Sequence, residues 1–195
     1  MGNQHPRLDE IAWLAGLLDG DGHFGIEIGT PHKKMRMKAP YKITTRIYLG
    51  MTDLEVITKA MMIFKNMGFN VYFKEHHKKP PRKVLYEISI NRMSHTKRAI
   101  GKLIKYLSGK KKRTAQAIWD FINSREKRTG LISGKASYVW YNDFELEKLK
   151  EIVHLTAPSI EVLQKRLKKI QAIENYVKSK DQRLEGQLQE ADGIV

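Results

Sequence analysis

The sequence predicts an α+β fold, with one antiparallel sheet covered by helices on one face and further helices toward the C-terminus. Three observations carry this. Four segments, near 23–30, 41–49, 69–76 and 83–91, alternate apolar and polar residues with the period of two of a half-buried strand. They come as two hairpin-like pairs, each preceded by an apolar segment of helical length. After residue 93 only helical periodicity remains, so the order is helix, hairpin, helix, hairpin, then helices.

Taken in order, residues 8–19 (LDEIAWLAGLLD) read as a helix that stops at the glycine-broken run Gly20-Asp21-Gly22. Its apolar residues lie on two sides: Leu8, Ile11, Ala12, Ala15 and Leu18 on one, Trp13, Leu14 and Leu17 on the other. A helix apolar all round is buried all round, so one face packs on the chain's own sheet and the other wants a partner. Ala15 and Gly16 would let two helix backbones approach closely. The first strand turns Phe24, Ile26 and Ile28 to one side. The second turns Ile43, Ile47 and Leu49 inward and Lys42, Thr44, Arg46 and Tyr48 outward. A helix over 53–67 carries the stripe Leu54, Ile57, Met61 and Phe64 and ends at Gly68. Val71 and Phe73 point inward from the third strand, and Val84, Tyr86, Ile88 and Ile90 from the fourth. The two hairpins look like a loose duplication. Helices are predicted at 94–107, 112–126, 142–154 and 159–178. The organisation is a core over 1–130, a helical extension of the same domain over 131–179, and a disordered tail over 180–195.

Charge narrows the class. The 195 residues carry 36 Lys and Arg against 21 Asp and Glu, a net charge of +15. The tail from Lys180 is net −2 (Lys180 and Arg183 against Asp181, Glu185, Glu190 and Asp192), leaving +17 on the body. Such a surface gains from releasing counterions along a polyanion. With no cysteine there is neither a disulfide framework nor a thiolate zinc site. The polar start, Met1 to Glu10, and the lack of any long apolar run point to a soluble intracellular protein, cytoplasmic or in an organellar matrix.

The outward face of the predicted sheet is polar and basic. It offers Glu27, Lys42, Thr44, Arg46, Tyr48, Tyr72, Lys74, Glu87 and Ser89, and the hairpin loops add Lys33, Lys34, Arg36, Lys38 and Arg82. A twisted ribbon of this kind fits the major groove of double-stranded DNA, where alternate side chains reach base edges and flanking cations hold phosphates. At the end of the first helix stand Asp19 and Asp21, beside carbonyls that already carry partial negative charge. Two acids there cost stability unless a cation joins them, and carboxylate and carbonyl oxygens suit Mg²⁺ or Ca²⁺.

The segment Leu14-Ala15-Gly16-Leu17-Leu18-Asp19-Gly20-Asp21-Gly22 resembles the nine-residue motif of the LAGLIDADG homing endonucleases, with Leu and Gly at two of its slots. The order of elements over 8–126 is similar to that family's αββαββα core, whose saddle-shaped sheet binds DNA. The resemblance implies that Asp21 is the catalytic, metal-holding acid, with Mg²⁺ bound between it and a backbone carbonyl near Gly20, and that Asp19 is structural. It places a supporting base at the start of a later helix, where Lys111 matches best and Lys110, Lys112 and Arg113 compete. It expects a glutamine at Gly50-Met51, and here the chain departs from the family. One motif per chain implies a homodimer, with Trp13, Leu14, Gly16 and Leu17 in the interface. The function implied is metal-assisted double-strand cleavage of a long, nearly palindromic DNA site. Competing readings are an RNA maturase or a DNA-binding regulator on the same fold, or a basic ribosome-associated protein.

Overall fold

The computed structural model describes residues 6–30, 40–77, 79, 81–130 and 141–192, with side chains through residue 180. Its elements are α1 (Leu8–Gly20), β1 (Gly22–Gly29), β2 (Lys42–Met51), α2 (Leu54–Asn66), β3 (Tyr72–His76), β4 (Leu85–Ile90), α3 (Met93–Leu103), a 3-10 turn (Ile104–Tyr106), α4 (Gly109–Thr129), α5 (Asp143–Thr156) and α6 (Ile160–Asp192). The four strands form one antiparallel sheet in the order β1-β2-β4-β3, so the second strands of both hairpins meet at its centre. This is the α+β architecture that the strand alternation predicts. Among the described residues no helix is long and apolar enough to cross a membrane.

Alternation sets the core. Phe24, Ile26, Ile28, Ile43, Ile47, Leu49, Ile88 and Ile90 are all buried on the helix-covered face. Each such side chain contributes about 2 kcal/mol when fully withdrawn from water. Asp53 starts α2 by accepting the amides of Glu55 and Val56 at 3.0 and 3.1 Å, the side-chain cap that frees the turn from unsatisfied donors. Gly130, at φ 64°, ends α4 in the left-handed conformation that glycine adopts without strain.

Four expectations are corrected. Leu14 lies inside the chain's own core with Ala15 and Leu18, so it is not available to a partner, and neither is Ala15. Positions 11, 14, 15 and 18 share one side of a 3.6-residue helix; the two-sided split of the apolar residues put Leu14 on the wrong one. Leu8, expected inward, is 69% exposed because it opens the helix beyond the sheet. Phe73 does sit across from inward-facing Ile88 and stacks on Tyr86, but remains 42% exposed because β3 is an edge strand. The last helix continues to Asp192, beyond the predicted end at 178. Residues 180–192 are mostly straight-chain helix formers, whose intrinsic preference prolongs the helix where no packing stripe signals it.

A buried ion cluster fixes the C-terminal helices to the core. Glu145 of α5, fully buried, accepts Arg125 Nη1 at 3.0 Å and Arg128 Nη2 at 2.8 Å from α4. It also closes a capping box with Asn142 at its own helix start. Arg125 stacks on Tyr141, its Cζ 4.5 Å from the ring centre, and burial pushes the Tyr141 phenol up to about 12.

One glycine is dictated by close approach. A Cβ on Gly22 would stand 2.6 Å from the Leu18 Cα and 2.7 Å from its carbonyl oxygen. Only hydrogen fits where β1 leaves α1. Gly22→Ala should therefore lower unfolding free energy by about 1–3 kcal/mol, read from urea denaturation.

Candidate functional site

Asp21 caps the C-terminus of α1, its amide donating to Leu17 O at 2.9 Å. Its side chain is exposed, and its carboxylate makes no hydrogen bond or ion pair among the described residues. The last turn of α1 carries no basic residue of its own. The compensating cation comes from 89 residues away: Lys111, in the first turn of α4, donates to the Gly22 carbonyl. Burial holds the Lys111 ammonium below its ordinary value, while the charges of Asp19 and Asp21 push it back up and Lys110 adds to the lowering. Lys110, Lys112 and Arg113 are exposed, so of the four candidates Lys111 alone turns into the motif.

Asp19 has a separate task. Its carboxylate accepts the Ser108 amide at 3.1 Å and the Ser108 hydroxyl. Ser108 is the N-cap residue of α4, so a negative charge sits on the positive end of that helix dipole. The contact clamps the end of α1 to the start of α4 and delivers Lys111. Ser108 carried a readable cue, a serine just before a helix. Its partner, 89 residues upstream, carried none.

The uncovered sheet face presents rows of side chains. His23, Tyr48, Ser89 and Tyr72 align across all four strands, and Gly50, Glu87 and Lys74 form the next row toward the motif. Lys42, Thr44 and Arg46 continue along β2, with Glu27 opposite Thr44. Lys42, Tyr72, Lys74 and Glu27 are exposed, as is Arg82 in the loop beyond β3. Glu87 ties the hairpins together by pairing with Arg46 and with His76 Nε2, the latter at 2.9 Å. Arg46 also lies 5.1 Å from the centre of the Tyr48 ring. Ser89 is a correction to the predicted contact set: at 5% exposure its short side chain is sunk between Tyr48 and Tyr72 and cannot reach a base edge. Lys33, Lys34, Arg36 and Lys38 lie outside the described residues.

The C-terminal extension adds two cations to this face. Lys169 of α6 donates to Ile28 O at 2.8 Å, and Arg166 donates to Thr156 Oγ1 at 3.1 Å. Both line an open cleft of about 710 Å³ on the sheet face, with Arg46, His23, Glu27 and Glu87. The run Lys165, Arg166, Lys168 and Lys169 is visible in the sequence as a basic face; that Arg166 and Lys169 turn inward while Lys165 and Lys168 stay exposed depends on how α6 packs.

His23 stands in this basic surround. Burial first, then Lys111, Arg166 and Arg46, hold its imidazole below the ordinary range. The unfolded chain binds that proton at about pH 6.5, before the folded chain does. Stability from this group is complete above that value and falls as pH drops toward the folded pKa. The melting temperature should fall between about pH 7 and about pH 5, and by less in His23→Gln. Burial likewise pushes the Tyr48 phenol up, with Glu87 adding and Arg46 opposing, so it stays protonated and can donate.

No cluster of three or more metal-binding side chains occurs among the described residues. The donor set still suits Mg²⁺, an ion commonly held by one or two carboxylates together with substrate phosphates and water. Asp21 is a solvent-facing carboxylate without a partner, and Gly20 leaves the adjoining backbone open, with nothing within 4 Å of where a Cβ would stand.

Residues 9–103 match the model of the LAGLIDADG-like domain. No curated protein matches the sequence. Among solved structures, the homing endonuclease I-TnaI is similar over 86% of this chain and 99% of its own, at 18% identity and a TM-score of 0.57. The homing endonuclease I-CvuI, in complex with its target in the presence of 2 mM Ca, is similar over 84% and 95%, at 17% identity and 0.55. The LAGLIDADG homing endonuclease I-LtrWI, bound to target DNA, is similar over 82% of this chain but 49% of its own, at 15% identity and 0.54. At these identities the likeness is one of fold. With its motif at the end of α1, its domain match and its four-stranded sheet, the chain carries a LAGLIDADG-like domain over residues 9–103 and has the fold of the LAGLIDADG homing endonucleases.

Proposed function

We propose that the chain is a site-specific DNA endonuclease that works as a homodimer, each copy cutting one strand of a long, nearly palindromic target. The observation that carries this is the unpartnered Asp21 carboxylate, held at an exposed helix end with the Lys111 ammonium beside it and a basic sheet face adjoining. A pure binder gains nothing from a bare acid set against DNA phosphates.

In this reading the sheet docks in the major groove. Lys42, Lys74, Arg82, Arg166 and Lys169 neutralise phosphates, while Glu27, Thr44, Arg46, Tyr72 and Glu87 face base edges. Asp21 and the Gly20 carbonyl would hold Mg²⁺, which when bound supplies charge and Lewis acidity to the phosphoryl oxygens. Lys111 adds a fixed positive charge next to the phosphate, where negative charge grows during hydrolysis.

The outer line of α1 supports a second copy. Ala12, Gly16 and Gly20 recur every four residues, and nothing stands within 4 Å of a Cβ at Gly16 or Gly20. A facing helix could approach that bare backbone closely, with half-buried Trp13 and Leu17 at its sides. Two chains of this length also correspond to I-LtrWI, of which one chain covers 49%.

The test is incubation with a randomised duplex pool and Mg²⁺, from which double-strand-cut fragments are expected. DNA bound but never cut would move the reading to an RNA maturase or a DNA-binding regulator, the alternative that the absent glutamine at Gly50-Met51 favours.

A further inference from the structure

The missing glutamine leaves a defined space. Position 51 cannot fill it, because strand alternation turns Met51 toward the helix-covered face, where it packs against the core. Position 50 faces the open side but has no side chain. The room it leaves is occupied: a Cβ built on Gly50 would stand 2.4 Å from the Tyr48 hydroxyl oxygen and 3.0 Å from Tyr48 Cζ. Tyr48 thus lies along β2 with its hydroxyl over the bare backbone of Gly50.

Direction matters. The β1–β2 ladder ends at Gly22↔Leu49, so the next positions outward are Asp21 and Gly50. Tyr48 therefore leans toward the motif end of the sheet. Its cross-strand neighbour His23 leans the other way, with Nε2 2.5 Å from where a Cβ of Gly25 would stand. Of the two polar rings in this row, only the phenol is carried toward Asp21. Arg46 stacks on the ring, and the hydroxyl has no hydrogen-bond partner among the described residues. A half-buried phenol held in one place with its polar end free is available to a water or a phosphate oxygen.

We infer that Tyr48, with its hydroxyl in the space left by Gly50, is the positioning residue that orders water at the Asp21 centre in place of a strand-end glutamine. This rests on the reading of the chain as an endonuclease. The residue acts by hydrogen bonding alone, with the phenol proton retained. Gly50 belongs to the same device, since any side chain there would displace the hydroxyl.

The test uses the duplex recovered from the randomised pool and the full chain. Tyr48→Phe removes one oxygen and keeps the stacking on Arg46. Its single-turnover cleavage rate in Mg²⁺ should fall about 100-fold, the scale of a misplaced reactant, with affinity in EDTA unchanged. In a Tyr48→Ser background, adding Gly50→Gln puts an amide into the same space and should restore part of the rate. Tyr48→Phe cutting at the wild-type rate overturns the inference and leaves the endonuclease reading intact. A rate loss matched by lost affinity, or a double variant no faster than Tyr48→Ser, also overturns it. A wild-type chain that cuts nothing in the pool removes both readings together.

Discussion

Asp21→Asn is expected to abolish DNA cleavage while leaving DNA binding in place. The substitution keeps the shape of the side chain and removes its charge. Asp21 is exposed, accepts no hydrogen bond among the described residues, and sits where the α1 dipole disfavours an anion, so the fold loses nothing by the change. Binding should hold or tighten slightly, because a negative charge facing phosphate is gone. Chemistry should suffer severely, since the motif's other carboxylate, Asp19, is committed to Ser108. We expect cleavage to drop by about 1,000-fold or more, equivalent to several kcal/mol of lost charge stabilisation. Gel-based cleavage and filter binding on the same duplex separate the two effects. Cutting by the variant at more than about a tenth of the wild-type rate would place the chemistry elsewhere.

Glu145→Ala should be the most damaging substitution for stability. It strips the carboxylate from a buried site and takes from Arg125, 3% exposed and stacked on Tyr141, the ion pair it makes with Glu145. Breaking such a pair costs about 3–5 kcal/mol, far more than the pair is worth against a well-packed apolar replacement. The loss also reaches the DNA face, because α5 is the platform on which α6 carries Arg166 and Lys169 to the β1 edge. Denaturant unfolding should show the large drop, and affinity for DNA should weaken at temperatures where the core still folds. A midpoint within error of wild type would show that the cluster adds nothing.

How much of this was legible follows from which interactions are local. Strand alternation names Phe24, Ile26, Ile28, Ile43, Ile47, Leu49, Ile88 and Ile90 correctly as core, because period two reads out one face without knowledge of any partner. Phe73 obeys the same rule in direction but not in burial, since edge position is a property of sheet order. The nearly all-apolar α1 gave no polar stripe from which to phase it, and Leu14 was misassigned for that reason. Asp21 was visible as a bare acid at a glycine-broken helix end. Lys111 was singled out from four neighbouring cations by the resemblance alone; the Asp19–Ser108 clamp that brings it to the motif spans 89 residues and left no local signal. Ser89 failed on shape: strand parity faces it outward, but its tall register neighbours decide what it can touch. Tyr48 was assigned to the DNA-contacting face, and only the geometry at Gly50 turns its hydroxyl toward the motif.

The central claim is that a chain with one Asp21 needs a second copy to cut both strands. Sedimentation of the chain on the duplex recovered from the randomised pool, in EDTA, measures this most directly. The account predicts two chains per duplex and a recovered sequence with approximate two-fold symmetry about the cuts. A single chain per duplex, with both strands of an asymmetric site still cut when Mg²⁺ is added, would contradict it.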